Sequence, residues 1–162
     1  MKKILLLLFC IVGSLAANAQ SSSTQSLTQK ERSFMNSLKS YLSKEGYRPE
    51  IDEDNDLAFK KEGDTYWITV AEEEEGYYFV RLASSMSCED TNLDAVRKAV
   101  NKVNGEFKLA KAYITDSEQS ILFVIDSYCY ASGDFTKYFS RYMGMLSEVD
   151  DDLKDYYSEY DK

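Results

Sequence analysis

The rhythm of apolar positions changes three times along the chain, and each change predicts an element. Phe34, Leu38, Tyr41 and Leu42 recur at helical spacing. Thr28 and Glu31 form a T-x-x-E capping box ahead of them, Gly46 supplies a stop, and Pro49 confirms that the helix has ended. The period then falls to two. Leu57 and Phe59 share one face of a strand; Tyr66, Ile68 and Val70 share one face of the next, with Trp67 opposite; Tyr78, Val80 and Leu82 make a third. Gly63-Asp64 and the run EEEEG ending at Gly76 separate these stretches, which predicts a three-stranded antiparallel meander whose four glutamates form a solvated hairpin end.

Helical spacing returns at Leu93, Val96, Val100 and Val103, opened by Asp90 or Thr91 and closed by Asn104-Gly105. Two more strands are expected around residues 109–115 and 121–130, joined by the polar turn DSEQS. On the second of them Ile121, Phe123 and Ile125 point one way while Leu122, Val124 and Tyr128 point the other, so both faces of the sheet carry apolar groups. Helices gathered on one side would leave the second face for a crossing helix or another chain to cover.

The last stripe is the longest. Phe135, Phe139, Tyr142, Leu146, Val149, Leu153, Tyr156 and Tyr160 alternate steps of four and three, which predicts one long helix, or two collinear ones if Asp150, Asp151 and Asp152 break it. From Phe135 to Tyr160 such a helix is about 39 Å long, more than a small sheet can cover. Its end is therefore the expected docking surface: Leu146, Val149, Leu153, Tyr156, Tyr157 and Tyr160 are the candidate partner-binding residues. The predicted fold class is α+β, a five-stranded antiparallel sheet packed by helices in the chain order α-β-β-β-α-β-β-α.

The beginning of the chain reads differently. MKKILLLLFCIVGSLAANA has a basic start, a short apolar run and small residues ending A-x-A, the pattern of a cleaved signal peptide over residues 1–19. That run is too short to span a bilayer, so no membrane insertion is expected after cleavage. Residues 20–27 then form a polar leader, 28–149 the folded domain and 150–162 an acidic, tyrosine-rich extension. The expected location is the periplasm or the extracellular space.

Without Lys2 and Lys3, 17 basic residues stand against 28 acidic ones, a net charge of −11 that disfavours nucleic acid and anionic lipid. Two cysteines survive cleavage, Cys88 and Cys129. An oxidising compartment permits a disulfide between them, and two free buried thiols are the alternative. The 13 tyrosines and 8 phenylalanines suit a binding surface, since tyrosine joins a large apolar area to a hydroxyl that tolerates exposure.

Catalytic and metal chemistry find little footing. Asp52, Asp54 and Asp56 occupy the first three ligand positions of a calcium loop, but Leu57 stands where that loop needs glycine and Gly63 where it needs glutamate. A solvated turn leading into an edge strand is the better reading. The chain has no histidine, so neither cysteine has an imidazole partner and no serine has a base. Asp126 is the one acid in an apolar setting, LFVIDSYCY, and alternation turns it outward. No catalytic residue, cofactor or metal is expected, and the chain is read as a non-enzyme.

The segments PEIDEDNDLAFKKEGDTYWITVAEEEEGYYFVRL, VNKVNGEFKLAKAYI and ILFVIDSYCYASGDFTKYFSRYMGML together resemble the YbjN-like family, whose fold is similar to that of type III secretion chaperones. The resemblance covers roughly residues 28–146 and rests on element order and hydrophobic texture. It implies a helix layer on an antiparallel sheet, frequent self-association, and no catalytic residues to carry over. Chaperones of that fold bind extended polypeptides on apolar patches inside the cytoplasm, whereas this chain has an export signal, and one ending NAQ looks like those of exported Bacteroidetes proteins. The functional expectation is a chaperone-like module that binds a protein or peptide. The alternatives are a homodimer with no separate ligand and, less well supported, a carboxylate-based hydrolase.

Overall fold

The computed structural model describes residues 27–162. The predicted signal peptide and all of the predicted leader but Leu27 lie outside the described residues. The elements run α1 (Gln29–Lys44), β1 (Glu50–Ile51), β2 (Leu57–Lys61), β3 (Asp64–Glu74), β4 (Tyr77–Ser87), α2 (Leu93–Glu106), β5 (Ala110–Ile114), β6 (Ser120–Cys129), α3 (Ser132–Thr136) and α4 (Phe139–Tyr160). The α+β class is as expected. The strands form one antiparallel sheet in the order β1-β2-β3-β4-β6-β5, so it has six strands rather than five. The sixth is the two-residue β1, too short to leave a periodic trace, and Pro49 before it has no N–H with which to extend the pairing.

The start of α1 is built as its sequence predicts. Thr28 Oγ1 accepts from the Glu31 N–H at 3.1 Å, and Glu31 Oε2 accepts from the Thr28 N–H at 2.7 Å. The other Glu31 oxygen accepts from the Glu72 N–H at 2.9 Å, fastening the helix to β3. Burial works against the Glu31 carboxylate, but the hydrogen bonds from Glu72 and Thr28 outweigh it and hold its pKa below the ordinary 4.5. A carboxyl whose pKa is lower in the folded chain than in the unfolded one contributes stability at neutral pH, and that contribution is lost as the pH falls through its folded pKa. Urea midpoints measured downward from pH 6 are expected to decline below the ordinary value, and the Glu31→Gln chain is expected to show a shallower decline.

The later boundaries depart from the expected ones for local reasons. Asn92, not Asp90 or Thr91, caps α2, its Oδ1 accepting from the Asp94 and Ala95 N–H groups at 3.2 and 3.4 Å. Asp90 is spent on a left-handed turn at φ 60°. The aromatic stripe does break, but at residues 137–138 between α3 and α4, and α4 then runs for 22 residues straight through Asp150, Asp151 and Asp152. Fully buried Val149 and Leu153 hold it down on either side of the acids, and Lys154 reaches back to Asp150 at 2.6 Å. At about 33 Å it is shorter than the stripe suggested.

All four helices of the described residues lie on one side of the sheet. Phe34 and Leu38 of α1, Val96 and Val103 of α2, Phe135 of α3, and Phe139 and Leu146 of α4 join Leu57, Ile68, Val80, Leu82, Ile121, Phe123 and Ile125 in a single buried core. Phe34 meets Tyr78 at 4.5 Å between ring centroids, and Phe139 meets Phe59 at 5.8 Å. The β5 edge is closed by a side chain: Asn104 Nδ2 donates to the Ala112 carbonyl at 2.7 Å while its Oδ1 accepts from the Ala112 N–H at 2.8 Å. Asn104 thus takes the hydrogen bonds that another strand would otherwise find there.

Cys88 and Cys129 are free and buried. Cys129 stands opposite Tyr78 and Ser120 opposite Ser87, so the two thiols lie at opposite ends of the β4–β6 pair, some ten residues or roughly 30 Å apart along the strands. A disulfide requires Cα atoms within about 7 Å, so the bridge the sequence left open is excluded within one copy.

Candidate functional site

The predicted docking stripe is folded home. Leu146 is 1% exposed and Val149 and Leu153 are 0% exposed, all inside the core. Tyr156, Tyr157 and Tyr160 are half-buried against it. The Tyr156 hydroxyl donates to Glu106 Oε2 at 2.6 Å, Lys102 lies over the Tyr156 ring at 5.6 Å, and the Asn92 N–H donates to the Tyr157 hydroxyl at 3.4 Å. Every one of these contacts is to α2 or its cap. The acidic end of the chain reads from sequence as unshielded because nothing in a one-dimensional pattern says that α2 lies alongside it.

Among the described residues, the uncovered surface is the other side of the sheet. Successive strand residues alternate sides, so the partners of the core residues share one open face. Its rows follow from the pairing register: Ala71, Phe79 and Tyr128; then Thr69, Arg81 and Asp126; then Glu50, Ala58, Trp67, Ala83, Val124 and Lys111; then Lys60 with Thr65 on β2 and β3, and Ser85, Leu122 and Tyr113 on β4, β6 and β5. Tyr77 and Tyr130 extend it at one end. Among the described residues, five large hydrophobic side chains are exposed, and three of them, Tyr113, Tyr128 and Tyr130, belong to this face.

One end of the face stands proud and the other is hollow. Tyr77 stacks on Tyr128 at 5.4 Å and touches Tyr130 at 5.0 Å, and Phe79 meets Tyr128 edge-on at 5.5 Å. Tyr128 is 58% and Tyr130 74% exposed. Toward the other end the central residues shrink to Ala83 and Ser85, and a depression of about 430 Å³ opens between Trp67, Arg81 and Leu122, with Asp52, Asp54 and Asp56 on its rim.

An ion pair crosses the middle. Arg81 Nε and Nη2 donate to the two Asp126 oxygens at 2.7 and 2.8 Å, a bidentate fork, while Arg81 Nη1 donates to the Tyr113 hydroxyl at 3.3 Å. The hydrogen bond from Asp126 raises the Arg81 pKa against the opposing effect of burial. The fork cancels the charge of the acid that the sequence placed outward, and the Arg81 guanidinium lies over the Phe79 ring at 5.4 Å.

The calcium-like triplet shapes a turn. Asp52 Oδ1 accepts from the Asp54 and Asp56 N–H groups at 3.1 and 2.9 Å, and Asn55 adopts φ 68° at its tip. One of the three leading carboxylates thus points inward at backbone donors. Burial, opposed by a hydrogen bond with Thr69 and assisted by Asp52 and Asp54, pushes the Asp56 carboxyl up.

Alternation along β3 and β6 already turned Trp67, Leu122, Val124, Asp126 and Tyr128 away from the core. Sequence reasoning missed Phe79, Arg81 and Tyr113 as members of the same surface, because only strand register brings them together. Among the described residues, no helix is long and apolar enough to cross a membrane.

A search of curated proteins found no match to the chain. The YbjN family, described as "Putative bacterial sensory transduction regulator", matches residues 36–132. That segment contains all six strands, and with them the whole of the open face, and it stops before α4. With well over half its length matched, the chain belongs to the YbjN family.

Proposed function

We propose that this chain is a non-catalytic regulatory module that works by holding a polypeptide against the open face of its sheet. The observation that carries the reading is the one-sidedness of the fold among the described residues: four helices cover one face, while the other exposes Tyr113, Tyr128 and Tyr130 around a paired Arg81 and Asp126. Exposed tyrosines grouped on one face are enriched at interaction sites. The regulator description of the family agrees with a binding role. The resemblance to secretion chaperones, which bind extended polypeptides, points the same way. Export, read from residues 1–19, sets the encounter outside the cytoplasm.

Site-specific photocrosslinking in the producing cells tests this. A photoreactive phenylalanine analogue replacing Tyr128 is expected to yield adducts with a polypeptide, whereas the same replacement at Tyr138, exposed on the helical side, is expected to yield none. Adducts at both positions alike, or at neither, would overturn the reading.

A further inference from the structure

We infer that the open face takes the carboxyl-terminal end of its partner polypeptide, and that the terminal carboxylate is held between Arg48 and Lys60 in the cleft beside β1. The inference rests on the proposed role of that face and adds which part of the partner is recognised.

The cleft arises where a strand pairing stops short. β1 pairs only Glu50 with Ala58 and Ile51 with Leu57, whereas β2 runs on to Lys61. Residues 46–48 therefore part from β2 and leave a groove of about 470 Å³, floored by Tyr47 and Phe59 and closed at one end by the Glu50–Ala58 pair. That volume lies within the range of ligand pockets.

The free edge of β2 supplies hydrogen-bonding groups. The Asp52 N–H donates to the Asp56 carbonyl at 2.9 Å, so Asp56 turns its backbone groups toward β1, and alternation gives Ala58 and Lys60 the same direction. Ala58 meets Glu50. Lys60 has no strand opposite it on that side, so its N–H and carbonyl face the groove. A terminal residue matches both, its carboxylate accepting from the Lys60 N–H while its own N–H donates to the Lys60 carbonyl.

Charge selects the same end of a chain. The sequence has 28 acidic residues against 19 basic ones, but the groove reverses that balance: Arg48 and Lys60 line it with a single acid, Glu50. Both basic side chains are exposed, and among the described residues neither has an ion-pair partner, although Arg81, Arg97, Lys102 and Lys154 are all paired. Continuing the β1 register brings Arg48 level with Lys60, two residues or about 7 Å along the strand from Glu50. A carboxylate is drawn to that end and the amide N–H groups preceding it to Glu50, which sets the direction of the chain. Acids farther off are screened beyond about 8 Å at physiological salt. An apolar last side chain then rests on Tyr47 and Ala58.

An NMR titration of the chain as its producing cells process it, with N-acetyl-Ala-Ala-Leu as the probe, reads the result. The free acid is expected to move the amide signals of Tyr47, Arg48 and Lys60. The carboxamide of the same peptide should bind about tenfold more weakly, the loss that follows when a charged hydrogen-bond acceptor is removed. N-acetyl-Ala-Asp-Leu carboxamide, which carries its charge on a side chain, should bind no better than the neutral amide. The Arg48→Gln, Lys60→Gln double variant should keep its circular dichroism spectrum and lose the preference for the acid.

Equal binding of acid and amide, a stronger response to the aspartate peptide, signal changes confined to other residues, a double variant that keeps the preference, or no response up to the solubility of the peptide each overturn the carboxylate site. If photoadducts at Tyr128 persist in that case, the face still holds a polypeptide by some other part of its chain, whereas absence of any adduct removes that role too.

Discussion

Removing residues 150–162 is expected to cost about 5 kcal/mol or more of unfolding free energy and to bring the chain to the edge of folding. Leu153 alone, with no exposed surface, carries the 2–5 kcal/mol typical of a deleted core leucine. Tyr156, Tyr157 and Tyr160 add the cover they give α2, together with the hydroxyl contacts to Glu106 and Asn92. A typical domain has only about 5–15 kcal/mol in all. Urea denaturation followed by the fluorescence of Trp67, the single tryptophan, measures the loss. A docking segment would behave in the opposite way, being dispensable for folding, and a truncated chain as stable as the full one would return the C-terminal stripe to the surface.

The largest contrast between neighbouring residues is expected on β6. Phe123, 1% exposed, sits mid-strand between Ser84 and Ala112 on the helix-covered side, and Phe123→Ala is expected to destabilise by about 3–5 kcal/mol. Leu122, its immediate neighbour, points to the open face and is only half-buried, and Leu122→Ala is expected to cost about 1 kcal/mol or less. Equal losses at the two positions would mean that both faces are covered within one copy.

Where the sequence carried a period, it was a sound guide. The meander that became β2, β3 and β4 was legible because Leu57, Phe59, Tyr66, Ile68, Val70, Tyr78, Val80 and Leu82 alternate cleanly with polar or half-exposed neighbours. The cap of α1 was legible because its hydrogen bonds join residues three apart, a spacing the chain writes directly. β1 was not legible, since two residues have no period. The break between α3 and α4 was misplaced because acidic residues suggest a helix start, while α4 passes through them on the strength of the buried Val149 and Leu153.

The candidate site followed the same division. Apolar groups on both faces of the last strand could be read from Ile121 to Tyr128, and with them the consequence that one face needs outside cover. Which surface is open could not, because helical periodicity shows that a stripe needs covering without showing what covers it. Sequence by itself determined the elements, their amphipathic faces and the acidic character of the chain, all of which depend on residues near one another along it. Tertiary structure alone decided that α4 lies against α2 and buries Leu153, that Cys88 and Cys129 face opposite ends of the sheet, and that Arg81 meets Asp126 across two strands. Those outcomes depend on register and packing between segments dozens of residues apart, and the local pattern of a chain does not encode distances of that kind.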